Sequence, residues 1–306
     1  MKNKSSLSGY FYLIAAATSY ATFGILSRLI ADTFPAFAQN YFREAVSLTI
    51  VGVLLITKII SWHKIHKKDI KWIIGFSLSN SLVMILLFLA FNSIAIGTVY
   101  FLFYSTMTIV GILIGGILFK ERMDLSKYIA LLLVLVGLIF MFSTSLQMDD
   151  LKYIVYSLFV GVMLGFHNNF AKKISNIYHP LQIFSYASMA SFFVSIIIAI
   201  LLKESVPDIK VNMSSVWMFV YGIVVLLADI FMIYGYRRIE AQIASMVMPT
   251  EAFIAALFGW IFYQDRLDTN EMIGGILIIL AVIVPKILSK YPQNTGTSRL
   301  IKPTLK

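Results

Sequence analysis

Five ionisable side chains fall inside long apolar runs of the 306-residue chain: Arg43, Glu44, His167, Asp229 and Glu251. A charge in hydrocarbon is costly, so each needs a partner or a purpose. Glu251 is the most pointed. Its helical neighbours are Met248 and the small residues Ala244, Ala255 and Gly259, which leave room for a cavity or for a closely packed helix. A carboxylate there suits a cationic amino group, or a structural hydrogen bond to a tyrosine. Arg43 lies in Gln39-Asn40-Tyr41-Phe42-Arg43-Glu44. It can clamp a carboxylate or phosphate in bidentate fashion, or pair with Asp229 or Glu251. It faces Glu44 poorly, because adjacent helical residues point in different directions. Asp229 reads as a proton carrier or as a satisfied polar residue near an interface. His167, followed by Asn168 and Asn169, reads as a titrating group or as hydrogen-bonded packing. Glu251, Asp229 and His167 are the candidates for proton coupling. Tyr20, Tyr100, Tyr104, Met107, Met248 and Asn168 complete the candidate substrate-binding set with Glu251, Arg43 and His167.

The elements that must position these residues are membrane helices. Hydrophobic residues make up 59% of the chain and charged ones 13%, about half the charged share of a soluble domain, so a bilayer is the fitting solvent. Ten apolar runs are long enough to span it, near 9–31, 36–57, 71–91, 94–119, 126–144, 151–171, 180–202, 214–236, 240–263 and 269–289. Short polar tails, 1–8 and 290–306, flank them, and the second reads as disordered. The net charge of +10 does not point to nucleic acid, because the basic residues sit in short connections rather than in a groove. With both termini cytoplasmic, the cytoplasmic segments hold 19 Lys and Arg and the external ones hold 5, and only Arg43 lies within a span. The expected location is therefore a bacterial or archaeal cell membrane, crossed many times.

The sequence repeats itself. GGILFKERMDL (115–125) matches GWIFYQDRLDT (259–269) at an offset of 144, and Phe34-Pro35 matches His179-Pro180 at 145. The expected units are 9–144 and 151–289, each with five helices. Five is odd, so the second unit enters from the opposite side, as in transporters built from inverted repeats. The expected fold class is an all-α membrane protein, ten transmembrane helices in two inverted five-helix repeats. The offset also sets Tyr104 and Met107 against Met248 and Glu251, an aromatic wall facing an acidic one.

These residues resemble the drug/metabolite transporter superfamily, in its EamA-type branch. The resemblance rests on Thr250-Glu251-Ala252-Phe253-Ile254-Ala255-Ala256-Leu257-Phe258-Gly259-Trp260 followed by Asp265-Arg266-Leu267, and on Glu121-Arg122 and Arg43 in the first half. It departs at Ala252, where that family often has proline; Pro249 stands three residues earlier and moves the expected kink in the ninth span. The resemblance implies ten helices, cytoplasmic termini, a central cavity lined by spans 1–4 and 6–9, and peripheral fifth and tenth spans, whose outer faces leave room for a homodimer.

The chain has no cysteine and no HExxH, GxSxG or GxxxxGK[ST] motif, so neither an enzyme nor an ATP-driven pump is expected, and no metal or cofactor. The expected function is a secondary transporter for a small polar metabolite, an amino acid or related amine, because a carboxylate, an arginine and aromatics together hold a zwitterion. A proton-coupled efflux pump for lipophilic cations is the second transporter reading. A membrane scaffold or an intramembrane enzyme are readings of another class, disfavoured by the buried charges and by the missing motifs respectively.

Overall fold

A computed structural model describes residues 2–91, 93–146, 150–208 and 212–288; for 2–6, 88 and 91 it describes only the backbone. The expected cytoplasmic tail 290–306 lies outside the described residues. The described residues are helical throughout apart from turns and connections, with no strand. The helices are α1 (Lys2–Ala21), α2 (Phe23–Ile30), α3 (Ala36–Ile56), α4 (Ile70–Phe91), α5 (Ile96–Phe119), α6 (Leu125–Phe142), α7 (Leu151–Ile174), α8 (Pro180–Leu201), α9 (Met213–Arg238), α10 (Ala241–Val247), α11 (Thr250–Tyr263) and α12 (Thr269–Leu288).

Among the described residues, nine segments are long and apolar enough to cross a membrane. The second expected span, α3, is not among them. The buried Gln39, Asn40, Arg43, Glu44 and Ser47 give its first half a polar stripe. Their burial places the polar stripe against protein rather than lipid, which is where such a helix is tolerated.

Two expected spans are broken, each for a local reason. At Thr22, between α1 and α2, the amide and the hydroxyl both turn back to the carbonyl of Ser19 (3.2 and 2.7 Å). Such back-bonding by Thr interrupts the regular ladder. Between α10 and α11 the break falls at Met248-Pro249, because proline has no N–H to continue the ladder. Helix α1 also begins earlier than the apolar run suggests.

The fine structure of the backbone repeats. Among the described residues, the non-glycine residues with positive φ are Lys58, Lys120, Lys203 and Gln264. Lys58 and Lys203 stand 145 apart, and Lys120 and Gln264 stand 144 apart. The two members of each pair close their helices alike: the amides of Glu121 and Asp265 return to the carbonyls of Gly115 and Gly259, both at 3.3 Å, and those of Ile59 and Glu204 to Leu54 and Ala199, at 3.1 and 2.9 Å. The packing repeats too. Exchanging the two halves turns the α4–α7 pairing into α9–α1 and the α4–α8 pairing into α9–α3, and all four are present. Three further pairings join equivalent helices to each other: α3–α8, α6–α12 and α5–α10. In α6–α12 the contact is backbone to backbone, since a Cβ on Gly137 would stand 2.8 Å from the carbonyl oxygen of Gly274. Small residues allow that approach.

Candidate functional site

Glu251 sits in the first turn of α11, just past the Pro249 break. The break puts its carboxylate near the positive end of a half-helix in the middle of a span, a placement that discontinuous transporter helices use for ligands. Glu251 lines a cavity of about 200 Å³. Tyr20, Gly24, Ala255 and Gly259 share its walls with Tyr100, and Arg28, Tyr263, Asp265, Arg266 and Glu271 stand at its mouth. Gly24 has open space where a side chain would be. Arg28 lies over the Tyr263 ring, 4.7 Å from its centroid. The cavity thus carries one inner carboxylate, tyrosine faces, and a mouth of mixed charge.

Several expected residues gather around it. Tyr20 lines the cavity and its hydroxyl bonds to Asp229, which joins the second carboxylate to the cavity wall. Tyr100 and Tyr104 stack on one another at 5.9 Å. The Tyr104 hydroxyl approaches Glu251 without a hydrogen bond of regular geometry.

The rest lie elsewhere. Met107 is buried, with the Asn168 amide 3.8 Å from its sulfur. Met248 is buried at the α10–α11 junction. His167 stacks on Phe76 (4.1 Å between centroids) and its Nδ1 lies 3.1 Å from the Phe76 carbonyl oxygen, off the cavity. Arg43 donates to the Tyr221 hydroxyl and to Asn40, both at 2.6 Å, and lies over the rings of Tyr221 and Phe23. Its Nε is buried without a hydrogen bond and 4.0 Å from Glu44. Glu44 bonds Ser188, and Asn40 bonds Ser191 and Ser195, so α3 meets α8 through a polar seam. Phe23 is the link to the cavity, since it touches both Tyr221 (5.2 Å) and Tyr20 (5.3 Å).

The mouth residues Arg28, Tyr263, Asp265 and Glu271 are absent from the sequence-derived set. Their signals were in the sequence but carried other meanings: Arg28 as a topological charge, and Asp265 as part of the repeated turn.

At the other end, the equivalent of the mouth is sealed. Glu121 accepts the amides of Ala241 and Gln242 at the start of α10 (2.8 and 2.9 Å) and lies 3.1 Å from the Lys172 ammonium. Lys127 pairs with Glu240 and donates to Gln242 (2.8 Å) and to the carbonyl of Arg122 (2.6 Å). Above it Gly111 abuts Ser245, and Gly115 abuts Gln242. The Gly111–Gly115 spacing therefore serves as a close packing face here.

The sequence pattern of the EamA-like transporter family matches the chain twice, over residues 7–143 and 151–285. The pseudopaline exporter CntI of Pseudomonas aeruginosa strain UCBPP-PA14 is 21% identical over 278 residues, covering 90% of this chain and 95% of the exporter. The protein of the same name in strain PAO1 is 20% identical over 276 residues, with the same coverage. A solved crystal structure shares 13% identity over 95% of this chain and 99% of its own, with a TM-score of 0.77, a likeness of fold.

Proposed function

The chain belongs to the EamA-like transporter family, and from that premise we propose that it is a secondary transporter that exports a small amine-bearing, zwitterionic metabolite. The single observation that carries this reading is the Glu251 cavity, with an acidic centre, tyrosine walls and Arg28 at its mouth. Glu251 takes the ammonium group, helped by the tyrosine faces. Arg28 is placed to meet a carboxylate. Arg43 is better used as the tie between α3 and α9 than as a ligand, since its two terminal nitrogens already serve Tyr221 and Asn40. Export is the direction named for the two exporters it is similar to.

The mechanism is alternating access between two inverted repeats, 9–144 and 151–289, in a cell membrane with both termini cytoplasmic. Inversion is supported by the course of equivalent helices: α5 ends at the seal where α10 begins, and α11 ends at the mouth. The Lys and Arg distribution supports a cytoplasmic seal, in which case this conformation opens outward. Asp229, tied to Tyr20, is the place for a coupled proton, because only one cavity residue separates it from the substrate.

A thermal-shift screen of the purified protein against amino acids, amines, sugars and nucleotides tests the substrate class, since ligand binding raises apparent stability by mass action. Amine-bearing acids should raise Tm, and Arg28→Gln should abolish the shift for these while sparing simple amines. Shifts confined to lipophilic cations would favour the multidrug reading. No shift and no flux across a broad panel would overturn the transporter reading.

A further inference from the structure

The sealed end and the open mouth are built from equivalent residues. At the 144–145 offset, Glu121 corresponds to Asp265, Lys172 to Arg28, Lys127 to Glu271, and Ala241-Gln242 to Ile96-Gly97. The backbones at these positions already agree. Lys120 and Gln264 share the left-handed turn that aims the following carboxylate, with φ of 57° and 56°. Each carboxylate stands over an equivalent glycine, Glu121 3.0 Å from a Cβ built on Gly115 and Asp265 2.9 Å from one on Gly259. The receiving helix starts are alike as well, with φ/ψ of −61°/141° at Glu240 and −54°/130° at Ala95. What differs is occupancy: Glu121 is 8% exposed and bonded to its helix start, whereas Asp265 is exposed and lines the mouth.

We propose that Asp265 is the outer latch of the transport cycle: in the opposite state it accepts the first amides of α5 at Ile96 and Gly97 and pairs with Arg28, closing the mouth as Glu121 releases α10 and Lys172. The first-turn amides of a helix have no partner within it, so a carboxylate is a fitting cap. The sealed half already carries the polar groups that opening would hydrate. The Asn169 Oδ1 is buried without a hydrogen bond, and the Asn168 amide nitrogen meets the Met107 sulfur at 3.8 Å. Such poorly satisfied groups lower the cost of exchanging this packing for water. Asp265 and Arg28 are positioning residues in this scheme, and their role does not require that they touch substrate.

The proposal rests on the alternating-access reading, but it can be measured without substrate. The chain has no cysteine, so one introduced thiol is labelled alone. Ala256 lines the open cavity, and its equivalent Ile112 is buried (7% exposed) in the sealed half. Maleimide labelling rates of Ala256→Cys and Ile112→Cys are compared in the parent, Asp265→Asn and Glu121→Gln backgrounds. Losing a charge-assisted cap should shift the populations about tenfold. Asp265→Asn should slow labelling at Ile112→Cys by about that factor, and Glu121→Gln should speed it and slow Ala256→Cys. Asp265→Glu, which keeps the acceptor, should label as the parent and shows that loss of the cap, not misfolding, is read. Equal rates at Ile112→Cys in all backgrounds would overturn the latch and leave ligand binding in the cavity untouched. Absence of any ligand shift alongside opposed labelling would sink the substrate reading instead.

Discussion

The end of the molecule around Glu121 and the end around Asp265 share sequence, turn geometry and an underlying glycine, yet one is packed and the other lines open space. The difference teaches that the repeat fixes local structure but not which end is closed. Closure is a property of the two halves together, decided by whether a carboxylate meets the start of the facing helix. An identical turn therefore holds about 3 kcal/mol of interaction at one end and little at the other, because buried partnered charges and exposed ones differ by that order.

Substitutions can break or sharpen this contrast. The largest effect is expected for Glu121→Ala, which removes the acceptor of two backbone amides and takes from the Lys172 ammonium its carboxylate partner, leaving it the Ile239 carbonyl. It should lower stability by about 3 kcal/mol, whereas Asp265→Ala at the open end should cost under about 0.5 kcal/mol. Denaturation in detergent of both variants checks this; equal losses would mean the two ends are not energetically distinct. Next comes Gly161→Ala. Its new Cβ would stand 2.5 Å from the carbonyl oxygen of Phe103, in the close α5–α7 contact away from the cavity. That overpacking should cost about 2 kcal/mol, while Gly24→Ala on the open side, with nothing within 4 Å, should be neutral or slightly stabilising by the same melting assay. Tyr20→Phe removes the donor to Asp229 and should cost about 1–2 kcal/mol. Its flux should change its dependence on pH if Asp229 carries the coupled proton. The smallest is Asp124→Ala. Asp124 caps α6 through the Lys127 amide at 3.0 Å, so about 1 kcal/mol should be lost, readable as a lower Tm.

Much of this was legible in the sequence, and the reasons differ by residue. The helix order and the 144–145 offset could be read because apolar length and the Glu121-Arg122 and Asp265-Arg266 turns are local signals. Glu251 could be singled out because a carboxylate in an apolar run is rare. The break at Thr22 was hidden, since threonine is common in spans and only its hydroxyl geometry interrupts the ladder. The mouth residues were hidden because their meaning lies in distant partners: Arg28 meets Tyr263, far along the chain. Arg43 was open between clamp and tie for the same reason, and Tyr221 and Asn40 hold it in this conformation.

The central claim is that Glu251 holds the amine end of the transported molecule. The most direct measurement is the affinity and proteoliposome flux of the amine-bearing acid that gives the largest thermal shift, in the parent and in Glu251→Gln. Loss of the charge should weaken binding about tenfold or more, with flux falling in step while the unliganded Tm holds or rises. An unchanged Kd in Glu251→Gln, with flux intact, would contradict the account.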